Sequence, residues 1–170
     1  MGYLYVYPLY TLNLRINKYT YTYMELFFTP IHVFEATLAG FLVGALWFSP
    51  ILFMKAWLKG EGVTKDQMPK RTTVYLLQVN AYSFIAHGAI AAVLAVIFDV
   101  LAVNSLRLAI VLGLLLTFGF VVTTKFIDMV YTQQGKHFEI RHQIKFLVQA
   151  GYYLTVVTVM SIVLFLVTHA

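Results

Sequence analysis

The sequence predicts an all-α fold, a four-helix transmembrane bundle carrying a tyrosine-rich N-terminal extension. Three observations predict it. Hydrophobic residues make up 61% of the 170 positions and charged residues 11%, against about 45–50% and about 25% in soluble domains. Four apolar runs are each long enough for a helix of roughly 20 residues to cross the hydrocarbon core. Turn or charge signals separate them, at Gly60 and Gly62, at Asn104 and at Gly135. A lipid-solvated backbone must bond to itself, which makes helices the expected spanning form.

Residues 1–28 read as the extension and residues 29–170 as a single transmembrane domain. The extension holds seven tyrosines before Met24, with Tyr3, Tyr5 and Tyr7 alternating as in a strand. Pro8, Asn13, Arg15, Asn17 and Lys18 break its apolar run, so it is too short to span, and it shows no small-residue cleavage site. Two readings stay open: an interfacial arm with tyrosines at headgroup level, or a natural start at Met24. The first helix is expected over about 33–53, with Pro50 near its end, where a lost hydrogen bond costs little. The others are expected over about 74–98, 106–131 and 146–168. In the third, the apolar part stops at Thr124, and Lys125 is expected to snorkel toward the headgroups.

The net charge of +5 is distributed unevenly. Nine of the twelve Lys and Arg residues fall beside two connections: Lys55, Lys59, Lys65, Lys70 and Arg71 in one, Lys136, Arg141 and Lys145 with Lys125 at the other. The positive-inside bias places both connections in the cytoplasm and both termini outside. Basic loops at that surface meet anionic headgroups, so membrane lipids are the expected partners and nucleic acid is not. The absence of cysteine excludes disulfides, thiolate metal sites and cysteine nucleophiles.

Polar groups inside the spans supply the candidate site. Ala36, Gly40 and Gly44 form a small-residue stripe, expected to pack helices within the bundle or between copies. Trp47, Phe48, Ser49 and Pro50, followed by Lys55 and Trp57, read as an aromatic belt with a helix-ending proline. Asn80, Ser83 and His87 share one face of the second helix, as an interhelical hydrogen bond or as a proton or solute contact. Thr117, Thr124 and Asp128 share a face of the third, with Lys125 slightly off it. The fourth opens with Gln149, Gly151, Tyr152 and Tyr153. Trp47, Asn80, Asp128, Gln149 and Tyr153 thus reach one level from four helices; with His87 they form the candidate intramembrane polar site. At the opposite surface His32 and Glu35 are expected to pair with each other or with Arg107, and Asp99 likewise.

The run Lys136 to His142 is not a metal motif, since its neighbouring cations oppose a metal, and no cofactor or catalytic residue is assigned. The chain has no Walker loop, dinucleotide fingerprint or nucleophile elbow, which counts against an enzyme.

The stretch GFLVGALWFSPILFMKAW (Gly40 to Trp57) resembles the first-span signature of the family called domain of unknown function 1761, which reads G-x-x-x-G-x-x-W-Y-S-P-x-L-F-x-x-x-W. The matching positions are Trp47, Ser49, Pro50, Phe53 and Trp57, with Phe48 replacing the tyrosine. GFVVTTKFID (Gly119 to Asp128) is similar to the third-span pattern. FLVQAGYYLTVVTVMSIVL (Phe146 to Leu164) is similar to the last-span pattern, with Gln149 where asparagine is common and Tyr153 where histidine is common. The resemblance runs from about Thr29 onward and favours Met24 as the start. It implies four transmembrane helices in a bacterial inner membrane, and no assigned activity. Three functions are expected in turn: binding or movement of a small solute or protons through a homo-oligomer, a structural or accessory subunit, and a lipid-modifying enzyme using His137 and His142.

Overall fold

The computed structural model describes residues 14–16, 19–21, 29–68, 70–132 and 139–170. In the extension, β1 (Leu14–Ile16) and β2 (Tyr19–Tyr21) pair antiparallel, Leu14 opposite Tyr21 and Ile16 opposite Tyr19. The alternating Tyr3, Tyr5 and Tyr7 lie outside the described residues.

Six helices follow: α1 (Pro30–Trp47), α2 (Met54–Glu61), α3 (Thr73–Val100), α4 (Leu106–Leu116), α5 (Thr123–Thr132) and α6 (Ile140–Thr168). A π-helical segment, Thr117–Val122, joins α4 to α5, so four continuous helices are long and apolar enough to cross a membrane. The chain is a multi-pass integral membrane protein with an all-α spanning domain.

Local chemistry sets most boundaries. Pro30 opens α1, where its missing N–H is no loss. The Thr72 hydroxyl accepts from the Tyr75 N–H at 3.2 Å and the Ser105 hydroxyl from the Leu108 N–H at 3.3 Å, capping α3 and α4. Gly62, at φ 71°, takes the left-handed conformation that ends α2.

Two expected boundaries are wrong, for physical reasons. The first span stops at Trp47 rather than running to Phe53. Pro50 cannot continue the ladder, and the chain turns through Phe53 N–H to Trp47 O (3.0 Å) and Met54 N–H to Ser49 O (3.3 Å). Pro50 therefore sits in a turn, and the following residues form α2, which packs on the first turns of α6. The last helix starts at Ile140, not near Phe146, so Arg141, His142 and Lys145 are helical rather than loop residues.

The core lies along α6, which packs against α1, α2, α4 and α5. Ala36, Ala91, Ala109, Val156, Met160 and Leu164 are buried there. Small residues let backbones approach closely, which replaces the missing hydrophobic drive with dispersion contacts that lipid cannot match. By contrast, α3 packs mainly on α1 and splays away near the lysine-rich end, where residues 71–82 are all exposed. That end, carrying α2 and the start of α6, is the basic end.

Candidate functional site

Two polar centres arise from this packing. The first is a buried hub between α1, α3 and α6. His87, 5% exposed, has Nδ1 2.6 Å from the Ser83 carbonyl and Nε2 2.9 Å from the Tyr152 hydroxyl. A carbonyl only accepts, so Nδ1 carries a proton and donates to Ser83 O, while the Tyr152 hydroxyl, able to donate or accept, pairs with Nε2. Both imidazole nitrogens have a hydrogen-bond partner.

The glycine stripe makes this arrangement possible. A Cβ on Gly40 would lie 2.6 Å from Met160 Sδ and 3.0 Å from His87 Cδ2, and one on Gly44 3.0 Å from the Tyr152 hydroxyl. Ala36, Gly40 and Gly44 thus face the interior of one copy, so the stripe leaves no room for a path between copies.

Around Tyr152, the signature residues of the first span fold into an aromatic cluster. Trp47 stacks against Phe53 at 4.3 Å between ring centroids, and Phe48 lies 5.0 Å from Tyr152 and 6.1 Å from Trp57. Trp47 Nε1–H donates to the Val148 carbonyl at 3.1 Å, and a Cβ on Gly151 would come within 3.1 Å of its ring. Ser49 Oγ accepts from Ile51 N–H at 3.3 Å, steadying the turn that carries Pro50. The spacing W-F-S-P-x-x-F-x-x-x-W is therefore the spacing of a helix break, whose rings hold α1 and α2 against α6.

The second centre is a cavity of about 150 Å³ at the basic end, between α2, α5 and α6. Glu61, Lys125, Asp128, Arg141, Lys145 and Gln149 line it. Lys145 Nζ lies 3.0 Å from Glu61 Oε2, and Arg141 pairs with Glu139. These are the only ion pairs among the described residues, which leaves Lys125 and Asp128 without an ionic partner among them. His142 also borders the cavity, with its Nδ1 buried and unpartnered. Among the described residues no group of three or more His, Cys, Asp or Glu could hold a metal ion.

The π-helical segment explains how Lys125 comes to face inward rather than snorkel. A π turn inserts an extra residue, which rotates everything after it by about 100° relative to a regular α-helix. Thr117 is buried, donating to Gly113 O at 2.7 Å, while Thr124 is exposed and bonds to Phe120 O. The expected common face of Thr117, Thr124 and Asp128 is broken there. Val122, Lys125, Met129 and Thr132 turn inward instead, buried or lining the cavity. Threonine hydroxyls back-bond to carbonyls of the segment, Thr123 to Gly119 O at 2.5 Å.

The six predicted site residues separate into three places. Trp47 and His87 belong to the hub region, with Tyr153 half-buried beside it, 5.0 Å from the Tyr152 ring. Asp128 and Gln149 line the cavity. Asn80 is exposed on the splayed part of α3 and donates only to Leu76 O of its own helix, at 2.8 Å. No single path joins them. Tyr152, rather than Tyr153, makes the contact with His87; it lies on the buried line Val148, Tyr152, Val156, Met160, Leu164, whose four-residue period was the available signal. At the opposite end neither expected pairing of His32, Glu35, Arg107 and Asp99 forms; His32 Nδ1 and Asp99 Oδ2 are buried without partners. His137 lies outside the described residues.

No curated protein and no solved structure matches the chain. A family model, that of the proteins of unknown function DUF1761, matches residues 31–165. That match takes in both centres and the aromatic helix break between them, so this chain belongs to the DUF1761 family.

Proposed function

We propose that the protein binds a small charged solute at the cytoplasmic end of its bundle, in the cavity between α2, α5 and α6. One observation carries this reading: in a chain with few charges, Glu61, Lys125, Asp128, Arg141 and Lys145 converge on one cavity from three helices. Charged groups are costly beside hydrocarbon, and their concentration in a concave site is what a ligand would offset. The positive-inside bias supports a cytoplasmic basic end and external termini.

Movement of a solute or protons across the membrane would require a second copy. Ala36, Met160, Ser161 and Leu164 fill the centre of the bundle beyond the hub. The exposed residues 71–82 of α3 offer a surface for that copy. The Asn80 amide supports this, because a group that both donates and accepts can pair with itself across a two-fold axis.

The test is thermal unfolding of purified protein with a panel of ionic solutes, followed by flux in proteoliposomes. At least one solute should raise Tm, and Asp128→Asn or Lys125→Ala should abolish that rise. A panel without effect on wild type would contradict the proposal. The satisfied His87–Tyr152 pair favours a second reading, an accessory subunit whose buried polar groups hold helices together. On that reading His87→Ala lowers Tm or alters oligomer size, and proteoliposome flux equals that of empty vesicles.

A further inference from the structure

We infer that the cavity seats a zwitterionic phosphate ester, in which a phosphate is joined through a short carbon linker to a primary ammonium. This deepens the charged-solute reading and rests on it. The ethanolamine phospholipid headgroup and free phosphoethanolamine share this chemistry.

Two cations of the cavity wall are already paired: Lys145 holds Glu61 at 3.0 Å and Arg141 holds Glu139. Among the described residues one charge of each sign remains, Lys125 and Asp128, one turn apart on α5 and both lining the cavity. They form no ion pair with each other. A purely anionic ligand would meet the Asp128 carboxylate, and a purely cationic one would meet Lys125 backed by Arg141 and Lys145. A ligand bearing both signs meets an opposite charge at each end.

The anionic end meets the unpaired Lys125, and Arg141 and Lys145, though paired with Glu139 and Glu61, keep N–H donors beyond those their carboxylates use. A phosphate, with several strong acceptor oxygens, uses such a set more fully than a carboxylate does. The first turn of α6 carries Arg141 and His142 and adds the positive end of a helix dipole to the same wall. His142 Nδ1, buried and without a partner, is a further polar atom there, and the Gln149 amide can donate or accept. The volume of about 150 Å³ suits a headgroup and not an acyl chain.

The experiment uses full-length protein purified in detergent, with four probes at matched ionic strength: phosphoethanolamine, inorganic phosphate, ethanolamine and β-alanine. Phosphoethanolamine should bind at least about tenfold tighter than phosphate or ethanolamine alone, because it engages both charges. Asp128→Asn should lose that advantage yet keep its response to phosphate, while Lys125→Ala should weaken both. A second arm compares nanodiscs of phosphatidylethanolamine with nanodiscs of phosphatidylcholine, whose methylated ammonium has no N–H to donate. If the lipid is the source, Tm is higher in the ethanolamine discs and the free compound adds nothing there. If the source is soluble, the free compound raises Tm equally in both discs. Phosphate or β-alanine matching phosphoethanolamine would overturn the inference and leave the charged-solute reading standing. Failure of all four probes and of both disc types would remove both. Should a variant fail to elute as a monodisperse species, the wild-type probe ranking alone decides.

Discussion

Trp47→Ala is expected to destabilise the protein by about 3–5 kcal/mol, the largest loss for any single substitution considered. The indole fills the junction of three helices: it stacks on Phe53 at 4.3 Å, approaches Gly151 of α6, and donates Nε1–H to Val148 O at 3.1 Å. Removing it leaves a gap that the α1–α2 turn cannot close, because Phe53 N–H and Met54 N–H tie that turn to Trp47 O and Ser49 O. Trp47→Phe keeps most of the ring contact and loses only the hydrogen bond, for about 1 kcal/mol. Thermal or SDS-induced unfolding in detergent ranks the three proteins. Because Trp57 is the only other tryptophan, a Trp57→Phe background lets Trp47 fluorescence report the junction directly. Equal stabilities for Trp47→Ala and wild type would contradict the clamp.

Gly60→Ala is expected to have the second largest effect. A Cβ there would sit 2.8 Å from the Lys145 backbone nitrogen and 2.9 Å from its Cα. Backbone cannot rotate aside as a side chain can, so α2 must lift away from α6. The cost is about 1–3 kcal/mol, and functionally the loss is larger, since Glu61 follows directly and its pairing with Lys145 forms one wall of the cavity. Faster amide hydrogen exchange over Met54–Glu61, with weaker solute binding, is the expected signature. An unchanged exchange pattern would show that α2 is not held by this close approach.

The contrast between these two residues shows how far the sequence could be read. Four spans were legible because a run of apolar residues long enough to cross a bilayer has few other uses. The end of the first span was not, because Ile51, Leu52, Phe53 and Met54 continue the apolar run past the true end at Trp47. Hydropathy alone cannot separate a helix that continues from one that breaks and restarts, and Pro50 is the residue that marks the break. The start of α6 was missed for the opposite reason: Arg141, His142, Gln143 and Lys145 are polar, yet the helix extends beyond the apolar run to include them.

The candidate site was legible as a set of residue types and not as a place. Polar residues on four helices share a level, but a level does not say which faces meet. The π-helical segment rotated Lys125 inward and Thr124 outward, an effect that α-helical periodicity does not encode. Tyr152 and Tyr153 are adjacent and chemically identical; only the buried line through Val148, Val156 and Met160 separates them. The cavity depends on α2 packing against the start of α6, so the roles of Gly60 and Glu61 cannot be read from hydropathy that carries the first span to Phe53.

The central claim is that this chain crosses the membrane four times with its charged cavity on the cytoplasmic side. The most direct measurement is membrane-impermeant thiol labelling in intact cells, on a background that contains no cysteine. The account predicts that Asn104→Cys and a cysteine at Ala170 label in intact cells, whereas Asp66→Cys and Gln149→Cys label only after permeabilisation. Labelling of Asp66→Cys in intact cells, or protection of Asn104→Cys until the membrane is opened, would contradict it.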